Sequence, residues 1–369
     1  MLGAFFSVAA IVLFVLAHEA GHFVAAKATG MKVTEFFFGF GPRIWSFRRG
    51  ETEYGFKVIP LGGYVKIVGM SQLEEVPPED IGRTYREKEF WKKSVVVLSG
   101  VAMNFLIAYV MFFGLNLSQG MPVPTNEVAV VVEALDDARP SPAALAGLRP
   151  GDVIVAVDGV PTETWDEVAS ALAARPGETI TLTVRRDAST VELAATLAER
   201  RDPETGTVRG FLGVGPTQVR EPIGVGTAAG IAGRQVWASV GFTFQALGNL
   251  IRPENLTTLA GGLVGQDVPD EIRPVSPIGI AQIGAQTDQI GVANFIGLLA
   301  SVNIILGTLN VLPLYPLDGG HFAVALYEKL TGRRVDIRKL APIAAMVIAF
   351  VAFLGLVAIV LDIVNPIRL

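Results

Sequence analysis

Four stretches of the chain are apolar over roughly 20 residues without a clear period, near residues 3 to 25, 95 to 117, 291 to 312 and 341 to 364. Each is long enough for a helix to cross a hydrocarbon core about 30 Å thick. Between the first two, "TEFFFGFGPRI" and "YGFKVIPLGGYVKIVGM" alternate apolar positions with Gly-Pro and Gly-Gly punctuation, which predicts short strands and turns. Such backbone is either a surface hairpin or lies at membrane depth, where it must be buried in protein or line a wet cavity. Residues 126 to 199 change character. "EVAVVVE", "DVIVAVDG", "TITLTVRR" and "TVELAATL" have the two-residue rhythm of strands, and "TWDEVASALAA" has helical spacing. Residues 223 to 250 are apolar and Gly-rich but interrupted by Arg234. A fifth crossing there would put Asp318 on the face opposite His18, about 30 Å away, so the segment is expected to lie as an amphipathic helix on the outer surface.

The expected architecture is a polytopic α-helical membrane protein with four transmembrane helices, a membrane-associated β-hairpin region and an inserted extracytoplasmic α+β domain. Residues 1 to 117 hold the first two spans, 118 to 222 the inserted region, 223 to 290 the amphipathic segment and 291 to 369 the last two spans.

Composition supports a mixed chain: 51% of residues are hydrophobic and 18% charged. The net charge of -5 decides little, because orientation follows the Lys and Arg of short loops. Residues 27 to 93 hold twelve of these and residues 313 to 340 five more, and all nine lysines fall in the two loops. Both loops are therefore expected in the cytoplasm, with residues 118 to 290 outside. The first span has no basic leader and carries His18, Glu19 and His22 in place of a cleavage site, so it reads as a retained span. Cysteine is absent, which leaves nitrogen and oxygen as the metal donors. No phosphate loop or nucleic-acid motif is present.

His18-Glu19-Ala20-Gly21-His22 fits His-Glu-x-x-His. On a helix, positions i and i+4 differ by about 40°, so both imidazoles can face one metal. Glu19, about 100° from His18, can reach the water such a metal activates without being a ligand. The chain has three histidines in all, and two of them form this pair in an apolar helix, where ionisable groups are expensive. A catalytic zinc needs a third protein ligand, and a carboxylate or His321 remains. Asp318 follows Asn310, Pro313 and Pro316 at the end of the third span that the topology brings level with His18 and His22. On these residues alone it is either the ligand or a turn residue.

His-Glu-Ala-Gly-His, paired with Asn310, Pro313 and Leu317-Asp318-Gly319, resembles the site-2 protease family of intramembrane zinc metalloproteases. Gly39-Phe40-Gly41-Pro42, Pro60 to Lys66 and Ser276 to Ile280 resemble its bacterial RseP-type branch. Ala146-Gly147-Leu148, Pro150-Gly151-Asp152 and Asp158-Gly159 resemble a single PDZ domain, which either takes an extended peptide by strand addition or serves as a spacer. The resemblance implies one Zn²⁺ per chain on His18, His22 and Asp318, and catalysis by Glu19. It also implies a membrane-embedded β-element around Gly62 and Gly63, with Asn310 touching the substrate backbone or bonding a neighbouring helix. Its implied setting is the bacterial inner membrane. There a single-span protein, such as an anti-sigma factor or a remnant signal peptide already shortened by another protease, would be cut in or near its membrane segment. Two departures stand out: Ser99 to Asn104 lacks the proline that often follows Gly100, and there is one PDZ-like domain where some relatives have two. An inactive zinc-binding adaptor and a metal transporter are the rival readings. Intact Glu19 argues against the first, and the single ligand cluster against the second.

Overall fold

The computed structural model describes residues 2–70, 76–135, 139–201 and 206–367. It divides into two compact units, residues 1–117 with 224–369 and residues 118–223.

The chain opens with α1 (Leu2–Ala28), which carries the His-Glu-x-x-His segment. Two long strands follow, β1 (Val33–Arg49) and β2 (Thr52–Ile67), and both fold back on themselves. As a result Phe36, Phe37 and Phe38 pair on one edge with Val65, Tyr64 and Gly63, and on the other with Tyr54, Gly55 and Phe56. Residues 63–67 form an outer segment of this small sheet. Gly62 supports the bend leading into it with a φ of 127°, which side chains other than glycine rarely adopt. Next comes α2 (Phe90–Gln119).

The inserted unit contains β3 (Met121–Val131), α3 (Pro142–Ala146), β4 (Val153–Val157), β5 (Val160–Pro161), α4 (Trp165–Ala173), β6 (Thr179–Arg186), β7 (Ser189–Thr196), β8 (Ala198–Arg201), β9 (Val208–Phe211) and β10 (Val214–Glu221). Its main sheet runs β10-β3-β4-β6-β7 over a core that includes Val128, Ile154, Val168, Leu182 and Leu197. Thr164 and Glu167 form a capping box that fixes the start of α4. The Gly-Asp pairs of the sequence are structural here. Buried Asp152 takes bonds of 2.7 Å from both Nε and Nη2 of Arg186, and this guanidinium holds its carboxyl below the usual carboxylate range. Asp158, at a φ of 49°, accepts from the Thr181 amide at 2.6 Å.

The remaining helices are α5 (Val225–Leu250), α6 (Pro253–Gly262), α7 (Pro277–Ala285), α8 (Thr287–Ile290), α9 (Val292–Val311), α10 (Asp318–Thr331) and α11 (Ala341–Val364). Four helical stretches among the described residues are long and apolar enough to span a membrane: Leu2–Ala28, Phe90–Gln119, Val292–Val311 and Arg338–Val364. Helix α5 is not among them, yet it does not stand apart as a free surface segment. Its Ala232 and Val236 pack with Ala108 and Phe112 of α2 and with Ala300 and Ile304 of α9. Asn116 also donates to Gln235 at 2.8 Å. The small residues Ala228 and Ala232 are fully buried, while Trp237 and Phe242 stay exposed.

Helix α7 lies so close to α1 that a Cβ on Gly3 would meet the Gly284 carbonyl oxygen at 1.8 Å. Asp362 is fully buried. It accepts from Arg273 at 3.0 Å and from the amides of Ser276 and Gly279 at 2.8 and 3.1 Å, thereby fastening the end of α11 to the start of α7.

Candidate metal centre

Helical spacing puts His18 and His22 one turn apart on α1, both 8% exposed, with their Nε2 atoms 3.1 Å apart. The Nδ1 of His22 lies 2.7 Å from the Val96 carbonyl oxygen on α2. A carbonyl only accepts, so Nδ1 carries the hydrogen and Nε2 presents a lone pair. Asp318 arrives from the other end of the chain. Leu312 to Leu317 form a tight turn containing Pro313, Pro316 and a cis Tyr315–Pro316 peptide, which ends α9 and starts α10 at Asp318. Gly319 and Gly320 press against that turn, where a Cβ would meet the Val311 oxygen at 1.9 Å and the Tyr315 nitrogen at 2.4 Å. This close packing carries Oδ2 of Asp318 to 3.1 Å from Nε2 of His18 and 3.3 Å from Nε2 of His22.

Three potential ligand atoms thus face one another at 3.1, 3.1 and 3.3 Å. Ligands about 2.0–2.1 Å from a tetrahedral zinc are spaced about 3.3 Å from each other, so the cluster matches one face of such a site. Oδ2 of Asp318 is buried with no hydrogen-bond partner, a need that a bound cation would meet. Among the described residues this is the one group of three or more His, Cys, Asp or Glu side chains close enough to share a metal. The donor set of two imidazoles and one carboxylate fits zinc.

The cluster lies in the wall of a cavity of about 510 Å³ that also takes in Glu19, Gly62, Gly63 and Asn310. His18, Glu19, His22, Gly62, Gly63, Asn310 and Asp318 therefore border one space. Gly63 comes so near that a Cβ there would stand 3.0 Å from Cγ of Glu19. His321, the other possible third ligand, borders a separate cavity of about 370 Å³ with Tyr85, Lys93 and Glu328. Its ring lies 4.9 Å from that of Tyr315.

Two residues of the second span were not singled out. Asn104 borders the main cavity. Gly100 faces the cluster directly, and a Cβ on it would lie 2.4 Å from Nε2 of His22 and 2.8 Å from Nε2 of His18. The signal in the sequence was the small residue at the closest approach of two apolar helices, Gly21 against Gly100, which is invisible until the helices are paired. Gly100→Ala is expected to push the imidazoles apart and leave most of the purified protein without zinc while it stays folded. Metal analysis reporting about one zinc per chain in that variant would show that the site tolerates the methyl group.

The fold and donor set define a membrane-embedded zinc metallopeptidase. The profile of Peptidase family M50 matches residues 6–355, and the chain belongs to this family, that of the site-2 proteases. Zinc metalloprotease Rip1 of Mycobacterium bovis is 36% identical over 394 aligned positions, which cover 98% of this chain and 96% of that one. The Rip1 protein of Mycolicibacterium smegmatis is 33% identical over 98% of this chain and 97% of its own. A putative zinc metalloprotease of Rhizobium meliloti is 32% identical over 88% and 86%. The solved PDZ domain of an SdrC-like protein from Listeria monocytogenes aligns with 26% of this chain and 94% of its own, at 19% identity and a TM-score of 0.20, too low to weigh in the assignment. Zinc is the cofactor of this chain, and it is an enzyme; the adaptor and transporter readings are set aside.

Proposed function

We propose that this protease performs regulated intramembrane proteolysis, cutting single-span membrane proteins, already shortened outside by another protease, in or near their membrane segment. The observation that supports this is the shared cavity, with three metal donors and a carboxylate on one side and a strand edge on the other. His18, His22 and Asp318 would hold the zinc. When bound, the metal supplies Lewis-acid polarisation of the scissile carbonyl and acidifies water. Glu19 takes the proton from the attacking water and returns it to the leaving amine.

A transmembrane helix hides its carbonyls in internal hydrogen bonds, so it must unwind before cleavage. Unwound backbone in hydrocarbon needs partners at once. The outer segment 63–67 offers them by strand addition beside Glu19, with Asn310 meeting the substrate backbone from α9. The two Lys-rich loops would lie in the cytoplasm and the PDZ-like unit outside the bacterial inner membrane, where it screens substrates by size or by a bound peptide end. Anti-sigma factors and remnant signal peptides fit this chemistry. Proteomics of membranes with the wild-type chain or Glu19→Gln should reveal single-span fragments that accumulate only in the variant. If no such fragment accumulates although the purified wild-type enzyme cleaves peptides, the substrate class is wrong.

The inserted unit contains no metal cluster among its described residues and is expected to select substrates without taking part in chemistry. Its ends meet in register, Met121 opposite Glu221, so residues 121–221 can be excised at one point without leaving half a sheet behind. The excised protein is expected to cleave an already shortened substrate at a rate within a few-fold of wild type, and to cleave unshortened substrates that the full chain refuses. Complete loss of activity in a folded, zinc-loaded excision variant would refute the screening role.

A further inference from the structure

The roles above leave Asn104 unexplained. It sits on α2 at 1% exposure and borders the cavity that holds Glu19 and the metal ligands. An amide side chain inside an apolar helix is costly unless something bonds it. The obvious reason for it is adhesion between helices, and α2 is indeed bonded to α9 here, with Asn303 Nδ2 donating to the backbone carbonyl of Asn104 at 2.8 Å. That bond uses a peptide oxygen, which any residue at position 104 would supply. The side-chain oxygen of Asn104 has no hydrogen-bond partner among the described residues. Gly307 of α9 makes the approach of the two helices close here, since a Cβ on it would stand 3.2 Å from Cβ of Asn104.

Backbone accounting in the cavity suggests a use. An extended segment carries N–H and C=O groups on both edges, and each one left unmet in hydrocarbon is expensive. Strand addition to residues 63–67 satisfies one edge. The opposite edge must find partners in the cavity wall. There the metal ligands and Glu19 are committed, and Tyr64 donates to Glu35. Asn104 and Asn310 remain, and an amide can both donate to and accept from a peptide group.

We propose that Asn104 is a substrate-positioning residue, whose side-chain oxygen accepts an N–H from the edge of the unwound substrate that the β-sheet leaves unpaired. This rests on the reading of the cavity as a cleft for extended substrate. The test uses the full chain in detergent and synthetic single-span substrates in which one peptide bond at a time near the scissile site is replaced by an ester, which deletes that N–H. Asn104→Leu, with Asn104→Ala as a second variant of smaller volume, is expected to keep zinc and thermal stability. It should lower kcat/KM about 5- to 30-fold, the effect of one unmet hydrogen bond. At one ester position the wild type should show the same loss and the variants none beyond their own. A variant kcat/KM within about twofold of wild type, or equal further losses at every ester position, overturns the role of Asn104. If the zinc-loaded wild type cleaves no single-span substrate at all, the cleft reading falls and takes this role with it.

Discussion

Glu19→Gln is expected to lower cleavage of a single-span substrate by about 10² to 10⁴, the usual effect of removing a positioned general base, while zinc stays near one per chain. The metal cluster explains the separation of the two effects. Its three donor atoms belong to His18, His22 and Asp318, and Glu19 is not among them. The substitution leaves the imidazoles one helical turn apart and His22 still oriented by the Val96 carbonyl. Glutamine also keeps nearly the size of glutamate, which matters because Gly63 approaches Cγ so closely. What is lost is the capacity to take a proton. Turnover in detergent and metal analysis on the same preparation check this. Wild-type turnover would rule out Glu19 as the base, and loss of zinc would give it a structural share in the site.

Much of this site could be read in the sequence because its spacing is local. Two histidines four residues apart must share a helix face, and an apolar helix gives them no bland reason to exist. Asp318 required one long-range step, that both loops rich in Lys and Arg share a side, and the structure brings its Oδ2 to the two imidazoles. The four apolar helices were legible from length and apolar composition. Other features depend on tertiary contacts with no local code. Alternation in residues 34–70 predicted strands, but not that Phe36 to Phe38 would pair on both edges, which makes residues 63–67 an outer segment beside Glu19. Arg234 suggested that residues 223–250 stay on the surface. The arginine is indeed exposed, but the opposite face of α5, with Ala232 and Val236, is what α2 and α9 pack against. Gly100 and Asn104 looked like ordinary span residues until α2 was set against α1 and α9.

Asp318→Ala is expected to cost zinc as well as activity, in contrast to Glu19→Gln. The carboxylate is the only anionic member of the cluster, and no cysteine exists to replace it. Without it two neutral imidazoles would have to hold a dication in an apolar setting, where uncompensated charge is costly. Substitutions that merely disturb the orientation of a ligand cost about 10- to 100-fold in metal affinity, so removing the ligand itself should cost more than about 100-fold, and cleavage should fall at least as far. Thermal unfolding of the zinc-free wild type gives the reference for the fold, since the variant should match it. His321→Ala is the companion measurement. Its ring borders the other cavity beside Tyr315, so that variant should retain about one zinc per chain. Full zinc in Asp318→Ala together with loss of zinc in His321→Ala would transfer the third ligand to His321.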